Sequence, residues 1–130
     1  MRSSRRCRVK VVLRAPVFLL ALAVAAATGG AALAAGSPKG GKVVFAANGC
    51  GACHAFAPAG AKGTIGPPLT RARLAADAKA AKQPLATFVR TSVTAPAAFI
   101  AKGYKAGLMP TYTKLTAKQL DDLVAFLQTG

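Results

Sequence analysis

Cys50 and Cys53 stand three positions apart, and a histidine follows the second directly: Cys50-Gly51-Ala52-Cys53-His54. Two thiols at that spacing share one helical turn and can add to the two vinyl groups of one haem, while the next residue brings an imidazole to the iron. His54 would bind through one ring nitrogen and donate its other N–H to a backbone carbonyl, which fixes the ring. Three other uses of the pair lack their context. A thioredoxin-like redox pair belongs in a βαβ unit, and the sequence has no strand pattern. A zinc site takes four ligands, whereas the chain beyond residue 35 offers two cysteines, one histidine and acids far off in sequence. A disulfide would close too short a loop to stabilise much and would leave His54 without a role.

Counting ligands narrows the chemistry. His54 is the only histidine in 130 residues, which excludes a bis-histidine haem within one chain. Of the two methionines, Met1 belongs to the N-terminal segment and Met109 lies 55 residues after His54. A lone methionine is usually core filler. Met109, however, is followed by Pro110 in a Gly- and Pro-rich stretch with no periodic apolar face. It is expected as the sixth iron ligand, because His/Met ligation is a standard electron-transfer arrangement. Two axial protein ligands leave no open position for oxygen or peroxide, so the expectation is an electron carrier, not an enzyme. One alternative is a five-coordinate haem with Met109 off the iron, giving peroxidase-like or gas-binding chemistry. Another is the electron-entry subunit of a larger membrane complex.

The elements that must position these residues begin after an N-terminal leader. Residues 1–35 carry six basic groups and no acid, then an apolar stretch over 15–27, then Ala32-Leu33-Ala34, a small-x-small pattern. That order is the layout of a signal peptide, with cleavage near Ala34 or Ala35. The alternative is an uncleaved anchor, for which the apolar core is short against the roughly 20 residues of a span. Cys7 precedes the apolar core, where no lipid-attachment cysteine would sit, and Arg5-Arg6 lacks the hydrophobic follow-on of a twin-arginine signal. Export would place the protein in the periplasm or on the outer face of the cytoplasmic membrane. Residues 36–41 read as a flexible lead-in and 42–130 as the haem domain. Twelve of the eighteen basic residues and all three acids fall in 36–130, a formal charge of +9. Such a charge points to redox partners with acidic docking surfaces, a membrane oxidase or reductase among the candidates, met in weak, fast, salt-sensitive encounters. No nucleic-acid partner is expected, and the protein is expected to be a monomer. A domain of this size buries only about two-thirds of its unfolded surface, so a bound cofactor would aid folding.

Lys42–Ala47 reads as a short helix with Val43, Val44 and Phe45 on an apolar face, broken by Asn48-Gly49. Residues 57–68 read as loop. Thr70 is a helix N-cap for a segment reaching Gln83, and Pro84 opens a second helix over 85–93. Residues 97–114 contain Gly103, Gly107 and Pro110 and read as loop. The clearest helix is the last: Thr116 and Gln119 form a capping box, and Leu115 and Leu120 can form a hydrophobic staple. Leu120, Leu123, Val124 and Leu127 make one apolar stripe. Asp121 and Asp122 are expected to favour the positive end of the helix dipole. The fold class is therefore all-α, with short helices and long loops.

With these features in hand, the chain resembles a class I monohaem cytochrome c of the bacterial, exported kind. Gly41-Lys42-Val43-Val44-Phe45 is similar to the family's first helix, whose glycine admits the last helix and whose aromatic packs on it. Leu123, Phe126 and Leu127 match the partner positions. Gly66-Pro67-Pro68-Leu69 resembles the loop after the haem motif, which implies that the Pro67 carbonyl accepts the N–H of His54 and that Leu69 packs on the haem. Pro96, Phe99 and Ile100 match the stretch before the methionine loop, and Met109-Pro110 resembles the ligand itself. The resemblance implies the small cytochrome c fold and one covalently attached haem c. The chain departs from the mitochondrial relatives in having no tryptophan, and in placing Ser92 where they carry a tyrosine near the methionine sulfur. Tyr104 and Tyr112 are candidates to contact the haem or its propionates, or else to cover the edge of the core.

Overall fold

Ser37 caps the first helix. The computed structural model describes residues 36–130, and the expected signal peptide or anchor at 1–35 lies outside them. Helix α1 spans Pro38–Ala47. The Ser37 hydroxyl accepts the Gly40 N–H at 3.3 Å, and Pro38 sits at the first position, where a missing N–H costs nothing. The expected flexible lead-in at 36–41 is thus corrected: it is the cap and first turn of α1. Gly40 and Gly41 each cost about 1 kcal/mol of helix propensity relative to alanine, and tertiary packing against the last helix, α5 (Ala117–Leu127), offsets this. Gly41 is buried where a Cβ would come within 2.5 Å of the Phe126 Cβ and 2.6 Å of the Asp122 carbonyl carbon. Only glycine lets the two backbones approach this closely.

Helix α5 starts as its sequence predicts. Thr116 accepts the Gln119 N–H at 3.2 Å, and the Gln119 side chain accepts the Thr116 N–H at 2.8 Å. Its inner stripe of Leu123, Val124, Phe126 and Leu127 is buried. The aspartates behave differently from expectation. They lie beyond the first turn of α5, and both make tertiary or i,i+4 contacts instead of serving the dipole. Asp121 pairs with Arg90. Asp122, only 5% exposed, accepts the Ser37 N–H at 2.7 Å and the Lys118 ammonium at 2.6 Å. The Lys118 bond first, and then the Ser37 bond, hold its carboxyl below the ordinary value of 3.8. A carboxylate with a depressed folded value stabilises the fold fully above its unfolded value, about pH 4. That contribution is lost as the pH falls through the depressed value. Asp122→Asn keeps an acceptor but cannot titrate. Thermal melts between roughly pH 2 and 5 are therefore expected to show a flatter acid limb than the parent, and superimposable acid limbs would contradict this reading.

Between these helices the chain makes α2 (Cys50–Cys53), α3 (Arg71–Ala80) and α4 (Leu85–Thr94). Thr70 Oγ1 accepts the Arg73 N–H at 3.2 Å and starts α3, and Pro84 stands at the mouth of α4. The architecture is all-α, with one addition that the sequence does not announce. β1 (Ala55–Phe56) and β2 (Ala61–Lys62) form a two-residue antiparallel ladder, Ala55 opposite Lys62 and Phe56 opposite Ala61. Short 3₁₀ turns occupy 57–59 and 96–98; the second takes the first two residues of the loop expected over 97–114, and the rest of that loop is irregular. Phe45, Phe56 and Phe126 meet at the α1–α5 crossing with ring centroids 5.1 to 5.8 Å apart, each pair worth about 0.5–1.5 kcal/mol beyond its buried area. Among the described residues, no helix is long and apolar enough to cross a membrane.

Candidate functional site

The site is built at the end of α1. Asn48 closes that helix, with its side-chain N–H donated to the Val44 carbonyl at 2.8 Å. Gly49 then reverses the chain at φ +66°, a conformation that glycine adopts without strain. The single turn α2 follows and sets Cys50 and Cys53 on one side of one turn. The His54 N–H bonds back to the Cys50 carbonyl at 3.1 Å. Both thiols are partly buried and unpaired. Burial pushes the Cys50 thiol up from its ordinary value of 9.0, and Cys53 adds to the effect.

His54 is buried, and its Nδ1 lies 2.7 Å from the Pro67 carbonyl oxygen. A carbonyl oxygen has no proton to give, so Nδ1 carries the hydrogen and donates it. The lone pair then resides on Nε2, the nitrogen left to bind a metal. The loop that supplies Pro67 is stitched to the motif on both sides: the Gly66 N–H donates to Cys53 at 2.8 Å and the Leu69 N–H to Ala55 at 2.9 Å. Gly66 lies flat against the imidazole; a Cβ there would come within 2.7 Å of Nδ1 and 2.9 Å of Nε2.

Cys50, Cys53, His54, Pro67, Leu69 and Met109 all line one cleft of about 1180 Å³, counted out to its solvent-open mouth. The cleft is walled on its far side by α4 and the irregular segment after it. Met109 is half-buried there. Ile65, Ile100 and Leu108 line the same cleft while more than a third exposed, so its walls are apolar out to the rim. This apolar cleft, with two thiols and one imidazole at its base and a thioether in its lining, fits a flat apolar macrocycle that needs covalent anchors and nitrogen and sulfur ligands. Among the described residues, no three His, Cys, Asp or Glu side chains gather to hold a bare metal ion.

The two tyrosines divide. The Tyr112 N–H donates to the Val93 carbonyl and its hydroxyl to the Asn48 carbonyl, both at 3.1 Å. Burial pushes the phenol up, with Cys50 and Cys53 contributing, which keeps it a donor. Tyr104 instead meets Arg73, whose guanidinium carbon lies 5.7 Å from the ring centroid. Ser92 lines the cleft. Nothing local in the sequence marks Gly66 as the surface under His54 or Asn48 as the acceptor for Tyr112. A glycine before two prolines is the only trace of the first, and the second joins backbone to side chain across 64 positions with no local signal.

The family model described as Cytochrome c matches residues 38–130. Comparison with curated proteins and with solved structures gave no match.

Proposed function

The chain belongs to the cytochrome c family, whose members carry covalently attached haem c and transfer electrons, and from that premise we propose that it is an electron carrier with His54 and Met109 as axial ligands. The observation that carries the proposal is the union of the sole histidine and the sole methionine of residues 36–130 in one apolar cleft, with the histidine hydrogen-bonded so that Nε2 is the ligating nitrogen. Bound haem supplies a one-electron Fe(II)/Fe(III) couple, and a methionine ligand favours the reduced state relative to bis-histidine ligation. The chain's own residues do the rest. Cys50 and Cys53 anchor the group, Pro67 fixes the His54 ring, Leu69 and the apolar walls exclude water, and Met109 closes the sixth position.

The surface supports partners with acidic patches. Asp77, Asp121 and Asp122 are each engaged by a basic residue, so nine of the twelve basic residues in 36–130 make no ion pair among the described residues. All nine are exposed. Residues 1–35 act as the export signal, which leaves the haem domain in the periplasm or on the outer face of the cytoplasmic membrane.

The ligation is tested by the visible spectrum of the ferric holoprotein. A Met–Fe(III) charge-transfer band is expected in the parent and is expected to vanish in Met109→Ala. The reduction potential of that variant should fall by on the order of a hundred millivolts, within the roughly 0.8 V that axial ligands span across haem proteins. A high-spin ferric parent would overturn the proposal in favour of an open-site haem enzyme or sensor.

A further inference from the structure

Met109 sits within a span held firmly at both ends. Before it, Ala101 is buried and Phe99 packs edge-on against Phe88 with centroids 5.2 Å apart. After it, Tyr112 is tied to Val93 and Asn48. Between these anchors the backbone turns at Gly103 (φ +90°) and Gly107 (φ +78°), and Lys102, Gly103 and residues 105–108 are exposed. Among the described residues, one polar or aromatic side-chain interaction joins 102–111 to the rest of the domain: Arg73 over the ring of Tyr104. Its 5.7 Å separation is within the range of a cation–π contact. Arg73 is itself oriented. Its Nε donates at 2.7 Å to Asp77, one turn further along α3, whose side chain is only 13% exposed. A planar guanidinium held at one edge can still stack on an aromatic face, which a lysine ammonium cannot do.

We infer that Arg73, oriented by Asp77, is a positioning residue for the Met109 segment: through Tyr104 it ties that segment to α3 and limits how readily Met109 leaves the iron. The inference rests on the His54/Met109 ligation proposed above. It assigns no contact between Arg73 and the haem.

The test is displacement of Met109 by imidazole in the ferric holoprotein, followed by loss of the charge-transfer band. Arg73→Met and Tyr104→Leu are each expected to raise imidazole affinity roughly two- to fivefold, the worth of one exposed cation–π contact. Tyr104→Phe keeps the ring and should behave as the parent. The double variant Arg73→Met/Tyr104→Leu should exceed neither single change, since both break one contact. Asp122→Asn, which weakens the fold away from the cleft, should leave the affinity unchanged. The inference is overturned if Arg73→Met and Tyr104→Leu bind imidazole as the parent does, if their effects multiply, if Tyr104→Phe matches Tyr104→Leu, or if Asp122→Asn also raises the affinity. A parent spectrum without the band would overturn the ligation itself, and this inference with it.

Discussion

Gly66→Ala is expected to loosen His54 while leaving the covalent anchors intact. The added methyl would lie against the face of the imidazole, within 2.7 Å of Nδ1, and the backbone cannot easily retreat. The Gly66 N–H is bonded to Cys53 on one side, and Pro67, the residue that holds Nδ1, follows on the other. The ring must therefore turn away and stretch its bond to Pro67. Overpacking of this kind costs about 1–3 kcal/mol, so on the proposed ligation the population with His54 off the iron should rise roughly five- to 150-fold. Intact mass should still report haem, because Cys50 and Cys53 are untouched, while the ferric spectrum gains a high-spin component. A variant with the parent spectrum and parent Tm would show that the loop yields without disturbing the ring.

Gly41→Val is expected to be strongly destabilising. Its side chain would have to occupy the space of the Phe126 Cβ and the Asp122 backbone, at the crossing where Phe45, Phe56 and Phe126 interlock. No rotamer relieves a clash with backbone, so α1 must lift from α5. At about 3 kcal/mol, the upper end of ordinary overpacking, the Tm of a domain this size should fall by roughly 12–24 °C. That is a large fraction of a typical total stability of about 5–15 kcal/mol. Circular dichroism melts of Gly41→Val beside Gly49→Ala would separate the two kinds of glycine. At Gly49 a Cβ meets nothing within 4 Å and the cost is conformational alone, so the milder loss belongs there.

Much of this arrangement is legible in the sequence where the signal is local. The caps at Thr70 and Thr116 depend on residues three positions on, and the stripe on α5 declares itself by its period. The first turn of α1 is illegible for the opposite reason. Gly40-Gly41 reads as linker because intrinsic propensity is poor there; resemblance alone gives Gly41 its place beside the last helix, and the backbone of α5, some eighty residues later, is what makes glycine the required residue. Asp122 shows the same effect: its place near a helix start suggests the dipole, but besides Lys118 one turn before it, it accepts the Ser37 N–H from the far end of the sequence of the domain. The β1–β2 ladder pairs two residues with two, too few for alternation to register. At the cleft, residue types and counts alone single out Cys50, Cys53, His54 and Met109, and resemblance adds Pro67 and Leu69. Gly66, Asn48 and the Arg73–Tyr104 contact required three dimensions.

The bond from Ser37 to Asp122 spans 85 positions, and the helices it joins bury their apolar faces chiefly against each other. Bringing those ends together costs about 4 kcal/mol of loop-closure entropy, with little returned until both are present. The consequence is temporal. As the chain emerges in order from its N-terminus, α1 has no partner until α5 has been delivered, so no stable half-domain can form early and trap the cysteines inside. Cys50 and Cys53 therefore stay accessible on an open chain until its last eleven-residue helix arrives.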